Sequence, residues 1–293
     1  MSQSTNGHTV APARVAHHNT GEVFMNRPRF ARKFTHPAIL LPLFLYSCSG
    51  DKAPESPFNG RWRVDTKSFK DNVKPMSLKL GGDGFKKDDN PPVLADGQPH
   101  RIRGDGYVDE QSISVEDGII KEVDKLRGKV VYMVDYVISG DGNTLTMHIT
   151  SYTSPNGQPV HGQTVYRRRG AAMAGNQLIT GDWERASVTV DEKSDWILRL
   201  KENQFSWRTA GGIGYDAKIG GAPVKIDGDG AGSKVSITRP SKDIIVETDL
   251  PEKGKPEATM SMQLLPDHNT ILVKSVYSEG KSSTTFYLRR IQN

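Results

Sequence analysis

Apolar and polar residues alternate with a period of two along most of the chain after residue 58. In the segment 144–150, threonine and histidine alternate with Leu145, Met147 and Ile149, which places three apolar side chains on one face of an extended strand. Short clusters of Gly, Asp and Asn, such as 141–143, separate these runs and predict tight turns. No segment has a sustained helical period with caps. The pattern therefore predicts an all-β region of short antiparallel strands.

This region contains two copies of one unit. The copies span 58–169 and 179–290, and a linker of small residues, 170–178, joins them. Their matching segments keep the same order at offsets of 120 to 126 residues: 59–63 with 180–184, 78–85 with 198–205, 97–106 with 221–230, 141–145 with 267–271, and 164–169 with 285–290. Turn spacing predicts about eight to ten strands in each copy, as in a meander or barrel.

Each copy opens with a Gly-x-Trp strand and closes with a strand rich in Tyr and Arg. In this respect each copy resembles the lipocalin/calycin superfamily and the short lipocalin-like domains of bacterial proteins. The resemblance implies two tandem, small, antiparallel meander β-barrels, each with a structural plug. In that family an arginine of the last strand packs over the tryptophan at the closed end. The roles would fall to Trp62 with Arg168 and to Trp183 with Arg289.

The copies depart from a full lipocalin, and these departures allow two alternatives for the barrel interior. Each copy has 112 residues and no counterpart of the lipocalin helix. Arg185 stands where a strict inward alternation after Trp183 requires an apolar residue. The barrels could therefore be shallow and filled by side chains, or open as a calyx. In an open barrel, Trp196, Phe205 and Trp207 of the second copy would line an apolar ligand.

The first 48 residues have the composition of an export leader. A basic stretch from Arg27 to Lys33 precedes an apolar run, 38–45, which is too short to span a bilayer and fits a secretory signal. The following Leu45-Tyr46-Ser47-Cys48 resembles the bacterial lipobox. We therefore expect Met25 to be the true start, with a signal peptide at 25–47 and a lipidated Cys48.

Residues 49–57 are polar and contain two prolines, as in a flexible tether. Ser49 follows the lipidated position, which in the enterobacterial sorting scheme implies the outer membrane. The leader thus predicts a lipid-anchored protein of the cell envelope. It favours the periplasmic face of the outer membrane over the inner membrane.

Charge and cysteine content exclude several classes of function. The chain has a net charge of +5, but residues 1–48 hold five basic residues and one acid, so the remainder carries 34 basic and 33 acidic residues. A net charge of +1 does not favour binding to nucleic acid. A single cysteine, Cys48, excludes an intramolecular disulfide and a cysteine metal cluster.

The sequence contains no nucleophile elbow, Walker loop or HExxH motif, and the isolated carboxylate pairs of such polar strands are expected by chance. We therefore predict no enzyme activity, no cofactor and no metal site. Two functions remain open. The protein could bind a small apolar or amphipathic ligand within a barrel, or it could be a structural module with filled barrels that meets another envelope protein.

Overall fold

The computed structural model describes residues 55–102, 107–173, 178–250, 256, 258–277 and 282–292. The predicted leader, Cys48 and most of the tether lie outside the described residues. The nineteen strands are β1 Gly60–Asn72, β2 Met76–Gly81, β3 Gly84–Lys87, β4 Pro99–Arg101, β5 Glu110–Glu116, β6 Ile119–Leu126, β7 Lys129–Ile138, β8 Thr144–Ser151, β9 Val160–Arg169, β10 Gly181–Val190, β11 Trp196–Lys201, β12 Gln204–Thr209, β13 Gly214–Lys218, β14 Val224–Lys225, β15 Lys234–Ser241, β16 Ile244–Leu250, β17 Ala258–Leu264, β18 Thr270–Tyr277 and β19 Ser282–Arg290.

The strands form two curled antiparallel sheets, which confirms the predicted all-β fold of two tandem barrels. The ten-stranded sheet runs β13-β12-β11-β1-β19-β18-β17-β16-β15-β14, and its edges come together through a bridge between Gly214 and Asp227. We call it the closed barrel. The nine-stranded sheet runs β3-β2-β10-β9-β8-β7-β6-β5-β4. No ladder among the described residues joins β3 to β4, and we call this sheet the half-barrel.

The two copies exchange their first strands. Strand β1 of the first copy lies between β11 and β19 of the second, with Trp62 opposite Trp196 and Arg290. Strand β10 of the second copy lies between β2 and β9 of the first, with Trp183 opposite Met76 and Arg168. The resemblance implied that each copy forms a barrel from its own strands, and the positions of β1 and β10 show that this expectation is wrong. The half-barrel consists of β10 and the remainder of the first copy.

The exchanged strands are fastened to each other by Arg185. The ladder between β10 and β9 shifts register between Arg185 and Ser187, so the regular alternation of β10 ends at this arginine. Its guanidinium makes a two-point ion pair with Asp71 of β1, with Nε donating to Oδ2 at 2.6 Å. It also lies 4.8 Å from the ring of Phe69. We call this contact the clasp. It explains why an arginine interrupts the inward alternation after Trp183.

A second ion cluster fixes β1 to the segment that follows β10. Asp195 is 2% exposed and follows a single 3₁₀ turn, Glu192–Ser194. Arg63 binds both of its oxygens, at 2.9 and 2.8 Å, and Arg61 Nε binds one at 3.0 Å. Bidentate guanidinium–carboxylate pairs are among the stronger hydrogen bonds in proteins. The cluster therefore holds β1 beside β11.

We expect the two copies to associate when they are produced separately. Fragments 56–170 and 177–293 each carry the first strand that the other barrel uses. When mixed, they should form a one-to-one complex whose cooperative melt resembles that of the intact chain, because only the complex provides both ladders. Size-exclusion chromatography and far-UV circular dichroism measure this. Two monomeric fragments that are each as stable as the intact protein, with no complex, would contradict the exchange.

Candidate functional site

Two tryptophans occupy equivalent positions in the cores of the two barrels. Trp62 and Trp183 are both fully buried, at 0% exposure. The Trp62 indole donates its N–H to the carbonyl of Phe58 at 3.0 Å, and the Trp183 indole donates to the carbonyl of Ile179 at 2.9 Å. Each ring thus removes a large apolar area from water while its polar group stays satisfied. The burial and the anchored indole are what the plug role requires, and the role itself stays a prediction.

The arginines over these rings differ from the predicted pairs. Arg168 lies over Trp183 and Arg290 lies over Trp62, with 4.2 Å from each guanidinium carbon to the ring centroid. The predicted pair of Trp62 with Arg168 is wrong because β1 lies beside β19 and not beside β9. The predicted role of Arg289 is wrong because the ladder places Arg290 opposite Trp62. Arg289 is half exposed and pairs with Asp65 at 3.2 Å.

Each plugging arginine also binds backbone carbonyls around its tryptophan. Arg168 donates to the carbonyls of residues 142, 178 and 180. Arg290 donates to those of residues 57, 59 and 268. These charged hydrogen bonds tie the first strand, the last strand and a turn together. Gly60 and Gly181 have φ values of +143° and +147°, which L side chains rarely adopt, and a Cβ at either position would also crowd the guanidinium. This backbone conformation accounts for the glycine of the Gly-x-Trp motif.

The predicted ligand-lining residues lie together inside the closed barrel. Trp196, Phe205 and Trp207 are 0 to 2% exposed and belong to one core cluster. The two indoles meet edge to face with centroids 5.4 Å apart, and Trp207 stacks on Tyr215 at 5.8 Å. The rings thus contact one another and form a continuous aromatic wall.

Polar groups are buried within this aromatic wall. The Tyr215 hydroxyl donates to Glu247 Oε2 at 2.5 Å, and Glu247 is fully buried on β16. The indole Nε1 atoms of Trp196 and Trp207 are buried and have no hydrogen-bond partner in the structure. A buried donor without a partner costs about 1–3 kcal/mol. The closed barrel therefore carries two unused donors in an apolar interior.

The half-barrel holds a pair of buried acids on β6, the strand equivalent to β16 of the closed barrel. Glu122 and Asp124 alternate with outward-facing residues on β6 and are 5% and 7% exposed. Tyr136 donates to Glu122 Oε2 at 2.6 Å, and Gln111 Nε2 donates to Asp124 Oδ1 at 2.9 Å. Burial, and then the charge of Glu122, raise the pKa of Asp124 well above its ordinary value. Burial likewise raises the pKa of the Tyr136 phenol.

Sequence reasoning missed these acids, although a signal was present. Ile120, Glu122 and Asp124 fall on one face of a strand with period two, so one buried residue predicts the burial of the other two. The same pattern recurs in the second copy as Ile245, Glu247 and Asp249, which are also buried. Comparison of the copies at this strand would have separated the pair from chance neighbours.

A groove of about 190 Å³ lies beside the clasp. Its lining combines residues of the exchanged strands with the short connection after β1: Phe69, Asp71, Val73, Lys74, Pro75, Met76, Tyr166, Arg169, Trp183, Glu184 and Arg185. Because the ion pair of the clasp occupies part of this lining, we assign the groove to the junction between the barrels. Within the described residues, no group of three or more metal-binding side chains is gathered, and no helix is long and apolar enough to cross a membrane.

We expect the tryptophans to contribute most to stability, and we expect the packing over Trp62 to depend on Arg290 and not on Arg289. Trp183→Ala should lower the free energy of unfolding by about 3–5 kcal/mol, the range for a large buried aromatic residue. Arg290→Ala should cost about 1.5–3 kcal/mol, because it removes charged hydrogen bonds to the backbone. The matched control Arg289→Ala removes a partly exposed ion pair with Asp65 and one hydrogen bond to Thr270 Oγ1, and it should cost about 1 kcal/mol. Denaturant unfolding measures all three. A larger loss for Arg289→Ala than for Arg290→Ala would contradict the assignment.

Comparisons with known proteins identified no similar protein. The sequence matches no protein-family model, no curated protein and no solved structure. The functional argument therefore depends on the residues and contacts described above.

Proposed function

We propose that this protein is a non-enzymatic lipoprotein of the cell envelope that binds a small apolar or amphipathic ligand inside its closed barrel. The proposal rests on one observation above all. The indole N–H groups of Trp196 and Trp207 are buried without a partner, next to the Tyr215–Glu247 hydrogen bond. Ligand pockets in proteins are mostly apolar and contain a few polar groups that orient the ligand. The closed barrel has this composition.

The unused donors indicate the class of ligand. An acceptor oxygen, such as a carbonyl, ether or hydroxyl group, would satisfy an indole N–H and recover the free energy that the buried donor now costs. Phe205 and the faces of the two indoles would contact an apolar body. The expected ligand therefore combines a hydrocarbon or ring system with at least one oxygen.

A structural or protein-interaction module is the second candidate. It is favoured by the direct contacts between the aromatic rings, such as the 5.4 Å separation of Trp196 and Trp207, because rings that touch each other fill the interior. The clasp and the exchanged strands also make the two barrels one interlocked body. In this function an envelope protein would meet the outer surface.

The location follows from the leader, as part of the same proposal. The basic and apolar stretches before Cys48 direct export, the lipidated cysteine anchors the chain, and Ser49 favours the periplasmic face of the outer membrane. The polar tether would hold the barrels away from the bilayer.

Native mass spectrometry should detect the proposed ligand. Protein purified from its own host under mild conditions should carry a bound mass of a few hundred daltons. Trp207→Phe keeps an aromatic ring but removes one donor, so retention should fall by about tenfold, the effect of one well-placed hydrogen bond. Tyr136→Phe, in the half-barrel, is the matched control and should retain the ligand. A protein without any bound mass would favour the interaction module.

Metabolic labelling should show whether Cys48 carries a lipid. A fatty-acid analogue should label the wild-type chain and leave Cys48→Ser unlabelled, because the thiol is the only acceptor that the proposed chemistry uses. Ser47→Ala keeps the cysteine and a small preceding residue, and it should remain labelled. Labelling that persists in Cys48→Ser would contradict the lipoprotein assignment.

A further inference from the structure

The clasp and the plug tryptophan lie toward opposite ends of the closed barrel, because strand β1 carries Trp62 near its first residue and Asp71 near its last. The ladder between β1 and β19 shifts register over residues 65–70. Within this interruption Phe69 packs against the core of the closed barrel, and its ring lies 4.8 Å from the ring of Phe286. The strand thus inserts an aromatic side chain into the barrel just before it reaches the clasp.

A continuous line of aromatic rings runs from Phe69 to the unused indole donors. Phe286 meets Trp196 edge to face with centroids 6.0 Å apart, and Trp196 meets Trp207 in the same way at 5.4 Å. At its other end, Phe69 lines the groove of about 190 Å³ beside the clasp. The groove and the two donors are therefore joined by side chains that contact one another in sequence.

The clasp covers the outer end of this line. The Arg185 guanidinium lies 4.8 Å from the Phe69 ring and binds both carboxylate oxygens of Asp71. Thr284 of β19 donates its hydroxyl to the same carboxylate at 2.9 Å. The side chains of Arg185 and Asp71 are each 19% exposed. Three strands, β1, β10 and β19, thus hold a polar cover over one aromatic ring.

This cover consists of side-chain contacts alone. No ladder joins β1 to β10 within the described residues, so Arg185 and Asp71 can separate while the backbone hydrogen bonds of both sheets remain. At the other end of β1, Trp62 and Arg290 are bonded to backbone carbonyls. Side-chain rearrangement requires less free energy than the opening of a ladder. The clasp is therefore the end of the closed barrel that opens more readily.

We infer that the groove is an entrance to the closed barrel and that the clasp is its gate. When the side chains of Arg185 and Asp71 separate, the Phe69 ring is free to move toward the groove. A ligand then passes this ring to reach Trp196 and Trp207. The inference rests on the proposed function, because it concerns access to the same interior.

Hydrogen exchange of the tryptophan indoles measures the gate in the intact protein without any ligand. The chain has four tryptophans, and each gives its own indole N–H signal in a proton–nitrogen NMR spectrum. Trp196 and Trp207 lie behind the proposed gate, and their N–H groups have no hydrogen-bond partner in the structure. Trp62 belongs to the same barrel but donates to a backbone carbonyl. Its exchange therefore reports the unfolding of the barrel as a whole.

Asp71→Asn should open the gate more often. The amide oxygen can still accept from Thr284, but the charge that holds Arg185 is lost. The indoles of Trp196 and Trp207 should exchange about fivefold faster than in the wild type, as expected for the loss of one partly exposed ion pair. Arg185→Gln should have the same effect from the other side of the pair. The exchange of the Trp62 indole should not change in either variant.

Asp216→Asn is the matched control, since Asp216 pairs with Arg208 on the outer face of the same barrel at 2.5 Å. Its indoles should exchange as they do in the wild type. Unchanged exchange of Trp196 and Trp207 in both clasp variants would overturn the gate. An equal acceleration of Trp62 would also overturn it, because the substitutions would then destabilise the barrel as a whole.

Uptake of 1-octanol separates this inference from the proposed function. In stopped-flow measurements of tryptophan fluorescence, Asp71→Asn should bind and release octanol about fivefold faster with an unchanged dissociation constant, because a gate acts equally on both rates. Binding at identical rates in the wild type and Asp71→Asn would overturn the gate. The absence of octanol binding would count against the proposed function, and indole exchange would then decide the gate by itself.

Discussion

A β-strand inside a barrel needs a hydrogen-bonded neighbour on each side, and in this protein each copy satisfies that need with the first strand of the other. Every feature of the junction follows from this exchange. Trp62 and Trp183 each lie in the core of the barrel that the opposite copy forms. The arginines over them come from the last strand of that same barrel. The clasp between Arg185 and Asp71 exists because the exchanged strands lie next to each other. Neither barrel is complete without chain from both copies.

The fold class was predictable because alternation is a local property. A period of two specifies a strand with one buried face, and the two copies supported each other. The exchange was not predictable from this pattern. Both copies carry a Gly-x-Trp strand of the same type, so either strand fits either ladder, and the choice depends on non-local contacts such as the clasp. Arg185 looked like a defect within its own copy, and only its partner in the other copy explains it.

The plug shows how a one-residue difference in register changes a predicted role. Alignment of the last strands by sequence pairs Arg168 with Arg289. The alternation of buried residues instead pairs Arg168 with Arg290. Phe286 and Leu288 are buried, and residue 290 is the next one on the same face of the strand. The side-chain period was thus a better guide to the plug than sequence identity, since a shift of one residue moves a side chain to the other face.

The buried acids show most clearly that the two copies share residues but differ in what surrounds them. Glu122 and Glu247 occupy the same position on equivalent strands, yet their tyrosine partners come from opposite sides, Tyr136 on β7 and Tyr215 on β13. The duplication therefore kept a buried carboxyl group and changed its surroundings. Packing alone gives no reason to keep it, because an apolar residue of similar volume avoids the desolvation cost. The two barrels thus share a pair of buried acids, and in the closed barrel this pair lies in an interior that also holds two unused indole donors.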